Sequence, residues 1–171
     1  MKERPYIFAA RDRMDEAEDR IRAVRTKQYK YIHNYFPEIP YAQYLNYMDE
    51  MPTMKVWRQW HREDKLSGPQ KLFFAPRKPA EELYDTVADP YEINDLAESP
   101  KHQEALKELR AALDRWIAET HDLGEVPERQ LIAQGLVADK LQTEYAARKK
   151  LHPPEPPVKG AAPESEWRIG K

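Results

Sequence analysis

Glu81-Glu82-Leu83-Tyr84-Asp85, then Asp89-Pro90-Tyr91-Glu92-Ile93-Asn94-Asp95-Leu96-Ala97, then Ser99-Pro100 and a long amphipathic run to Thr120 form the stretch from which the fold can be read. Leu83 and Tyr84 suit a short strand. Asp89-Pro90 suits a turn, because proline fixes φ and restricts the residue before it. Ser99 is placed to cap a helix, and Pro100 takes its first position, where a missing N–H costs nothing. Leu106, Leu109, Leu113, Trp116 and Ile117 recur at spacings of three, four, three and one, so they share one helical face. Burying five such side chains contributes roughly 8–15 kcal/mol before entropy, at about 1.5–3 each. That face needs a surface to cover, and the earlier part of the chain must supply it. Taken alone, the spacing describes a strand, a turn and a helix without chemistry.

Upstream, Tyr6-Ile7-Phe8-Ala9-Ala10 is a compact apolar run, read as a strand with both faces partly covered. Arg11-Asp12-Arg13-Met14-Asp15-Glu16 breaks it with charge and is expected to be a loop. A second strand runs from Asp19 to Arg25 and a third from Tyr29 to Tyr35, joined through a turn at Thr26-Lys27-Gln28. In the third, Tyr29, Tyr31, His33 and Tyr35 point one way, which makes a seat for the helix. Phe36-Pro37-Glu38-Ile39-Pro40 ends the sheet run, because two prolines do not sit in a central strand. Tyr41 to Tyr47 is irregular. A helix is expected from about Thr53 to Asp64, with Thr53 as its cap and Met54, Trp57 and Trp60 at i, i+3 and i+6. Ser67-Gly68-Pro69 stops it, and Leu72-Phe73-Phe74 reads as a buried connection towards Leu83.

Downstream, Asp122-Leu123-Gly124 closes the main helix, with glycine where a left-handed residue is wanted. Glu128 to Lys149 can be helical, with Gly135 interrupting. From Leu151 the prolines Pro153, Pro154, Pro156, Pro157 and Pro163 give an extended, poorly ordered tail. The expected division is therefore 1–128 as a folded subdomain, 129–150 as an additional helix and 151–171 as a flexible Pro-rich tail. The fold class is α+β, with a small sheet and one long helix packed on it.

Composition narrows the function classes. At 171 residues the chain is long enough for a real core. The formal net charge of −2 is uneven: 20–30 carries Arg20, Arg22, Arg25, Lys27 and Lys30 with no acid, while 81–128 carries fourteen acids against four bases. Nucleic-acid binding is not the default reading of that pattern. No apolar run approaches the ~20 residues of a membrane helix, and no secretory signal precedes Pro5. With no cysteine, disulfides, thiolate catalysis and thiolate metal sites are excluded. The five histidines, His33, His61, His102, His121 and His152, lack metal-ligand spacing. There is no Gly-rich phosphate loop and no Ser in a nucleophile elbow.

The most informative chemistry is the arginine cluster Arg11, Arg13, Arg20, Arg22 and Arg25. Guanidinium suits planar contact with sulfate, phosphate or carboxylate. Composition equally allows a solvated strand face balanced by Glu16, Glu18 and Asp19. Arg11, Asp12, Arg13 and Asp15 are the candidate substrate-binding residues, because they follow an apolar strand and project from a rigid edge. The structural alternative is that Asp12 and Arg13 tie this segment to its neighbour.

Several blocks taken together carry a family resemblance. They are Ala10-Arg11-Asp12-Arg13-Met14-Asp15-Glu16, Arg22-Ala23-Val24-Arg25-Thr26, Tyr29-Lys30-Tyr31-Ile32-His33-Asn34-Tyr35 and Tyr47-Met48-Asp49-Glu50-Met51-Pro52-Thr53-Met54. Glu82-Leu83-Tyr84-Asp85, Asp89-Pro90-Tyr91-Glu92 and Asn94-Asp95-Leu96-Ala97 continue the series. In order and spacing they resemble the C-terminal part of a formylglycine-dependent sulfatase, of the branch that includes heparan N-sulfatase, over roughly 4–128. The resemblance implies an antiparallel sheet of about four strands with one long helix, joined to an alkaline-phosphatase-like catalytic domain. Calcium and the formylglycine would belong to that other domain, and the partners would be the catalytic domain and a sulfated small molecule or glycan. The formylglycine arises from Cys/Ser-x-Pro-x-Arg, and here Ser67-Gly68-Pro69-Gln70-Lys71 has Lys in the last place. No catalytic residue and no metal ligand is therefore assigned to this chain, which by itself is expected to be an inactive fragment. The parent enzyme would be periplasmic or secreted. A reading from another class is a free-standing module that binds an anionic glycan or a protein.

Overall fold

The computed structural model describes residues 4–15 and 17–137, and the chain divides into two compact units. The first takes Met1–Asp12, Asp19–Glu38 and Pro76–Gly124; the second takes Arg13–Glu18, Ile39–Ala75 and Glu125–Lys171. The expected helix over 129–150 falls partly, and the tail over 151–171 wholly, outside the described residues.

Four strands form one antiparallel sheet in the order β1-β2-β3-β4: β1 Ile7–Met14, β2 Ala17–Arg25, β3 Tyr29–Asn34 and β4 Glu81–Asp85. Val24 pairs with Tyr31 and Tyr31 with Leu83, so these three share one face. The β2–β3 turn is closed by Thr26, whose N–H donates to the Tyr29 carbonyl and whose hydroxyl accepts from the Tyr29 N–H. The long helix α3, Gln103–Thr120, lays Leu106, Leu109, Ala112 and Leu113 against Val24, Tyr31 and Leu83 in one buried cluster. The α+β class, the strand count and the helix on its ring-bearing seat agree with the sequence reading.

Other details differ from it. β1 is an edge strand with Ile7 57% exposed, not a strand covered on both faces. It also continues through Arg11, Asp12 and Arg13 to Met14, because alternation lets charged side chains leave a strand on both sides and find partners there. Ser99 makes no capping bond to the backbone; its hydroxyl meets His102 Nδ1, and Pro100–His102 is a 3₁₀ turn leading into α3. At the other end His121 takes the left-handed position, φ 51°, which the sequence assigned to Gly124. Trp116 is only half-buried and stacks on Phe8, ring centroids 5.1 Å apart.

In the second unit α1, Asn46–Glu50, precedes α2, Pro52–Arg62, and a seven-residue 3₁₀ segment spans Gly68–Phe74. Met51, not Thr53, is the N-cap of α2, and Pro52 supplies its first turn. Ser67 and Gln70 form a capping box at the start of the 3₁₀ segment. Met54, Trp57 and His61 lie on the inner side of α2, whereas Trp60 turns outwards, since a step of six overshoots the 3.6-residue turn. Leu72 is 50% exposed and Phe73 and Phe74 are half-buried, so the expected buried connection is a ring cluster at the surface. Helix α4, Glu128–Ala133, ends before Gly135, which adopts φ 71°. No described helix is long and apolar enough to cross a membrane.

Candidate substrate-facing residues on the first strand

β1 presents Arg11, Asp12 and Arg13 in succession, and Asp15 follows at the turn with φ 46°. Each already has a partner. Arg11 Nη1 lies 3.9 Å from Asp19, whose other oxygen accepts the Arg20 N–H at 2.9 Å. Asp19 is also paired with Lys78, and both of those side chains are sealed from solvent. Asp12 sits on Arg22, Nη1 to Oδ1 2.8 Å and Nη2 to Oδ2 3.1 Å, with its side chain still 54% exposed.

Arg22 is the hub of the first unit's charge network. It has no exposed surface, and it grips Asp122 with two bonds, Nε at 2.5 Å and Nη2 at 2.8 Å. Its Nη1 also donates to the carbonyls of Arg11 at 3.3 Å and Ile21 at 2.9 Å. Burial works against its charge, but the carboxylates of Asp122 and Asp12 outweigh that and raise its pKa. The same contact holds Asp122 below the usual carboxylate range, against its own desolvation. Gly124 makes the arrangement sterically feasible: a Cβ there would stand 1.9 Å from Arg22 Nη2 and 2.9 Å from Asp12 Oδ1. Its missing side chain is thus explained by close approach, not by a left-handed backbone.

Arg13 and Asp15 belong to the second unit. Arg13 donates through Nε to Glu128 at 2.6 Å and through Nη2 to the same carboxylate, with Glu18 at 3.6 Å. Its Nη1 reaches the Asp15 carbonyl at 3.3 Å, so all three guanidinium nitrogens are engaged. The structure therefore places Arg11 and Asp12 in one network and Arg13 and Asp15 in another, and it aims neither arginine at open solvent alone.

A second polar centre of the first unit was not legible in the sequence. Glu81 accepts two bonds from Arg110 at 2.7 Å each and one from the buried Tyr31 hydroxyl. Arg110 holds Glu81 below its usual value despite desolvation. Burial and Glu81 together push the Tyr31 hydroxyl up. His33 stacks on Tyr35 at 4.1 Å, Arg20 lies 3.7 Å over that tyrosine ring, and burial lowers the His33 pKa. On the opposite sheet face Glu82 accepts from Asn34 Nδ2 at 2.6 Å and from the Tyr84 hydroxyl at 2.5 Å. Only the pairing register brings these residues together. Among the described residues no group of three or more His, Cys, Asp or Glu could hold a metal ion.

No family model matches the chain. Over 131 residues it is 46% identical to the ulvan-active sulfatase of Formosa agariphila, a match that takes in 77% of this chain and 22% of that protein. A candidate sulfatase from Bacteroides thetaiotaomicron superposes with TM-score 0.45 and 25% identity, over 74% of this chain and 18% of the other. A 2-O GAG sulfatase gives TM-score 0.45 and 24% identity, over 74% and 19%. The chain spans about a fifth of the length of the curated relative, so its sequence matches a portion of a sulfatase.

Proposed function

We propose that this chain, which resembles part of a sulfatase over most of its length, is the C-terminal portion of a formylglycine-dependent sulfatase and acts only with a catalytic domain. The observation that carries the reading is the 46% identity to a sulfatase of which the match takes in only 22%. In this reading the sheet and α3 complete the enzyme's core and wall one side of its substrate pocket. The nucleophile, the calcium and the acid/base groups are supplied by the catalytic domain, and the substrate is a sulfated glycan or small molecule. Asp12, whose side chain is more than half exposed while Arg22 fixes it, is the member of the candidate set best prepared to meet a sugar hydroxyl. Arg11, Arg13 and Asp15 keep that edge in shape.

The test is an exchange of the matching 131-residue segment of the ulvan-active sulfatase for this chain. The expected result is a chimera that hydrolyses an aryl sulfate, while deletion of the segment and the isolated chain with calcium both give none. A chimera that is folded by circular dichroism yet inactive overturns the proposal, as does turnover by the isolated chain. In the active chimera, Asp12→Asn should lower kcat/KM at least about tenfold, ~1.4 kcal/mol of transition-state binding, with the melting temperature little changed.

A further inference from the structure

In the first unit α3 covers the side of the sheet that carries Val24, Tyr31 and Leu83. The short 3₁₀ turns reach that same side: His102 of Pro100–His102 meets the Tyr29 ring edge-on at 6.2 Å, and Gly124 of Leu123–Glu125 closes on Arg22. The opposite side carries Ala23 paired with Ile32, and Ile21 two residues before Ala23. All three are half-buried. On β1, Ile7 and Ala9 alternate with Phe8, which packs against the core, so they belong to the opposite side as well. Ile7 is 57% exposed and Ala9 is exposed too. The charged side chains around this apolar row have partners within the unit. Lys30 meets Glu92 at 2.5 Å, Arg25 meets Thr86 at 3.2 Å, and Asp19 takes both Lys78 and Arg11.

We propose that this side of the sheet, opposite α3, is the surface that docks onto the catalytic portion of a sulfatase. The inference rests on the sulfatase reading and adds which surface joins the two parts. An antiparallel sheet face that stays in water alternates to polar side chains, and Ile7, Ala9, Ile21, Ala23 and Ile32 do not. An uncharged centre inside a rim of polar groups is instead the anatomy of a protein interface, and the two alanines let a partner element approach closely. A small ligand needs a concave pocket, which an open sheet face does not make. The occupant follows from length. The matching segment is 22% of the relative, so more than three quarters of that protein lies outside it. Joined in one polypeptide, that remainder meets the sheet at an effective concentration of about millimolar, which a free second copy of this chain does not reach.

The chain has no cysteine, so single introduced thiols report which surface is covered. Ala9→Cys and, as a control on an exposed position of α3, Ala111→Cys are placed in the full chain and in the chimera with the ulvan-active sulfatase. Labelling by iodoacetamide is followed at each position by peptide mass spectrometry. Ala9→Cys should label freely in the chain and at least about tenfold more slowly in the chimera, while Ala111→Cys labels alike in both. Ala9→Glu should leave the chain's melting temperature within about 2 °C and lower the chimera's by about 5 °C or more, because the charge is buried only after docking. Equal labelling of Ala9→Cys in the chain and a folded chimera overturns the proposal, as does a chimera that does not fold. Equal slowing at Ala111→Cys overturns it, since this face is then not singled out. Slow labelling of Ala9→Cys in the chain that quickens on dilution assigns the face to a second copy, and overturns it too. A folded chimera that shields Ala9→Cys but hydrolyses no aryl sulfate keeps this docking surface and sinks the sulfatase reading; an active chimera with Ala9→Cys unshielded does the reverse.

Discussion

In the first unit Val24, Tyr31, Leu83 and Leu113 have no exposed surface at all, and Arg22 is sealed as completely with its charge paired to Asp122 and Asp12. Among the described residues of the second unit the buried apolar side chains are Ala17, Ala42, Leu45, Met54 and Leu66, while the rings of Trp57, Phe73 and Phe74 stay half-open. The difference follows from the elements. An 18-residue helix laid across a sheet closes a core on every side of its apolar stripe. An 11-residue helix with a seven-residue 3₁₀ segment cannot cover all of its own rings. The first unit is built around buried charge and close packing, whereas the described residues of the second leave part of their ring surface exposed.

The largest expected effect tests the buried charge. Arg22→Leu leaves Asp122 desolvated without its cation and should cost about 3–5 kcal/mol in denaturant melts. A loss below about 1 kcal/mol would mean that water replaces the guanidinium and that the network is not sealed. Gly124→Ala comes next, because the new methyl meets Arg22 and Asp12 and should cost about 1–3 kcal/mol. Asp12 can swing outwards, so most of that loss should vanish in Gly124→Ala combined with Arg22→Leu. Simple additivity of the two would deny that they share one contact.

Trp57→Ala probes the second unit and should cost about 1–2 kcal/mol, below a fully buried tryptophan, because its ring is only half-covered. A cost of about 4 kcal/mol would erase the contrast between the units.

The smallest effect is the pH dependence of the first unit. The neutral form of His33 is favoured by burial, so its folded pKa lies below 6.5. Its contribution is present above pH 6.5 and is lost as pH falls from there through the folded value, since the unfolded chain takes the proton first. Glu81 and Asp122 have depressed values, so theirs is present above 4.5 and 3.8 and lost on further acidification. Melting temperature should therefore begin to fall gently below pH 6.5, more steeply below 4.5. His33→Gln should abolish only the first limb. An unchanged first limb in that variant would assign it to another group.

Much of the fold was legible because its pattern is local. The 3.6-residue spacing of Leu106, Leu109 and Leu113, and the alternation through Tyr29 and Tyr31, each encode a buried face in adjacent residues. The same logic fails where a residue's partner is remote. Arg11-Asp12-Arg13 looked like a loop because charge density was the available signal; its charged partners, Asp19 and Arg22 on β2 and Glu128 on α4, lie elsewhere in the chain. Of the candidate site, the residue types could be read, but neither the strand that carries Arg11, Asp12 and Arg13 nor their engagement could.

The sequence by itself determined the α+β class, the turn at Thr26, the long helix and its seat, and the likeness to part of a sulfatase, because each depends on residue identity at short spacing. Only the tertiary structure decided that Arg22 is buried between Asp12 and Asp122, that Glu81 joins Tyr31 to Arg110, and that Gly124 is needed for clearance instead of φ. Those contacts join residues 10 to 112 positions apart. Their geometry exists once strand register and helix docking have fixed which side chains meet, and no local periodicity carries that information.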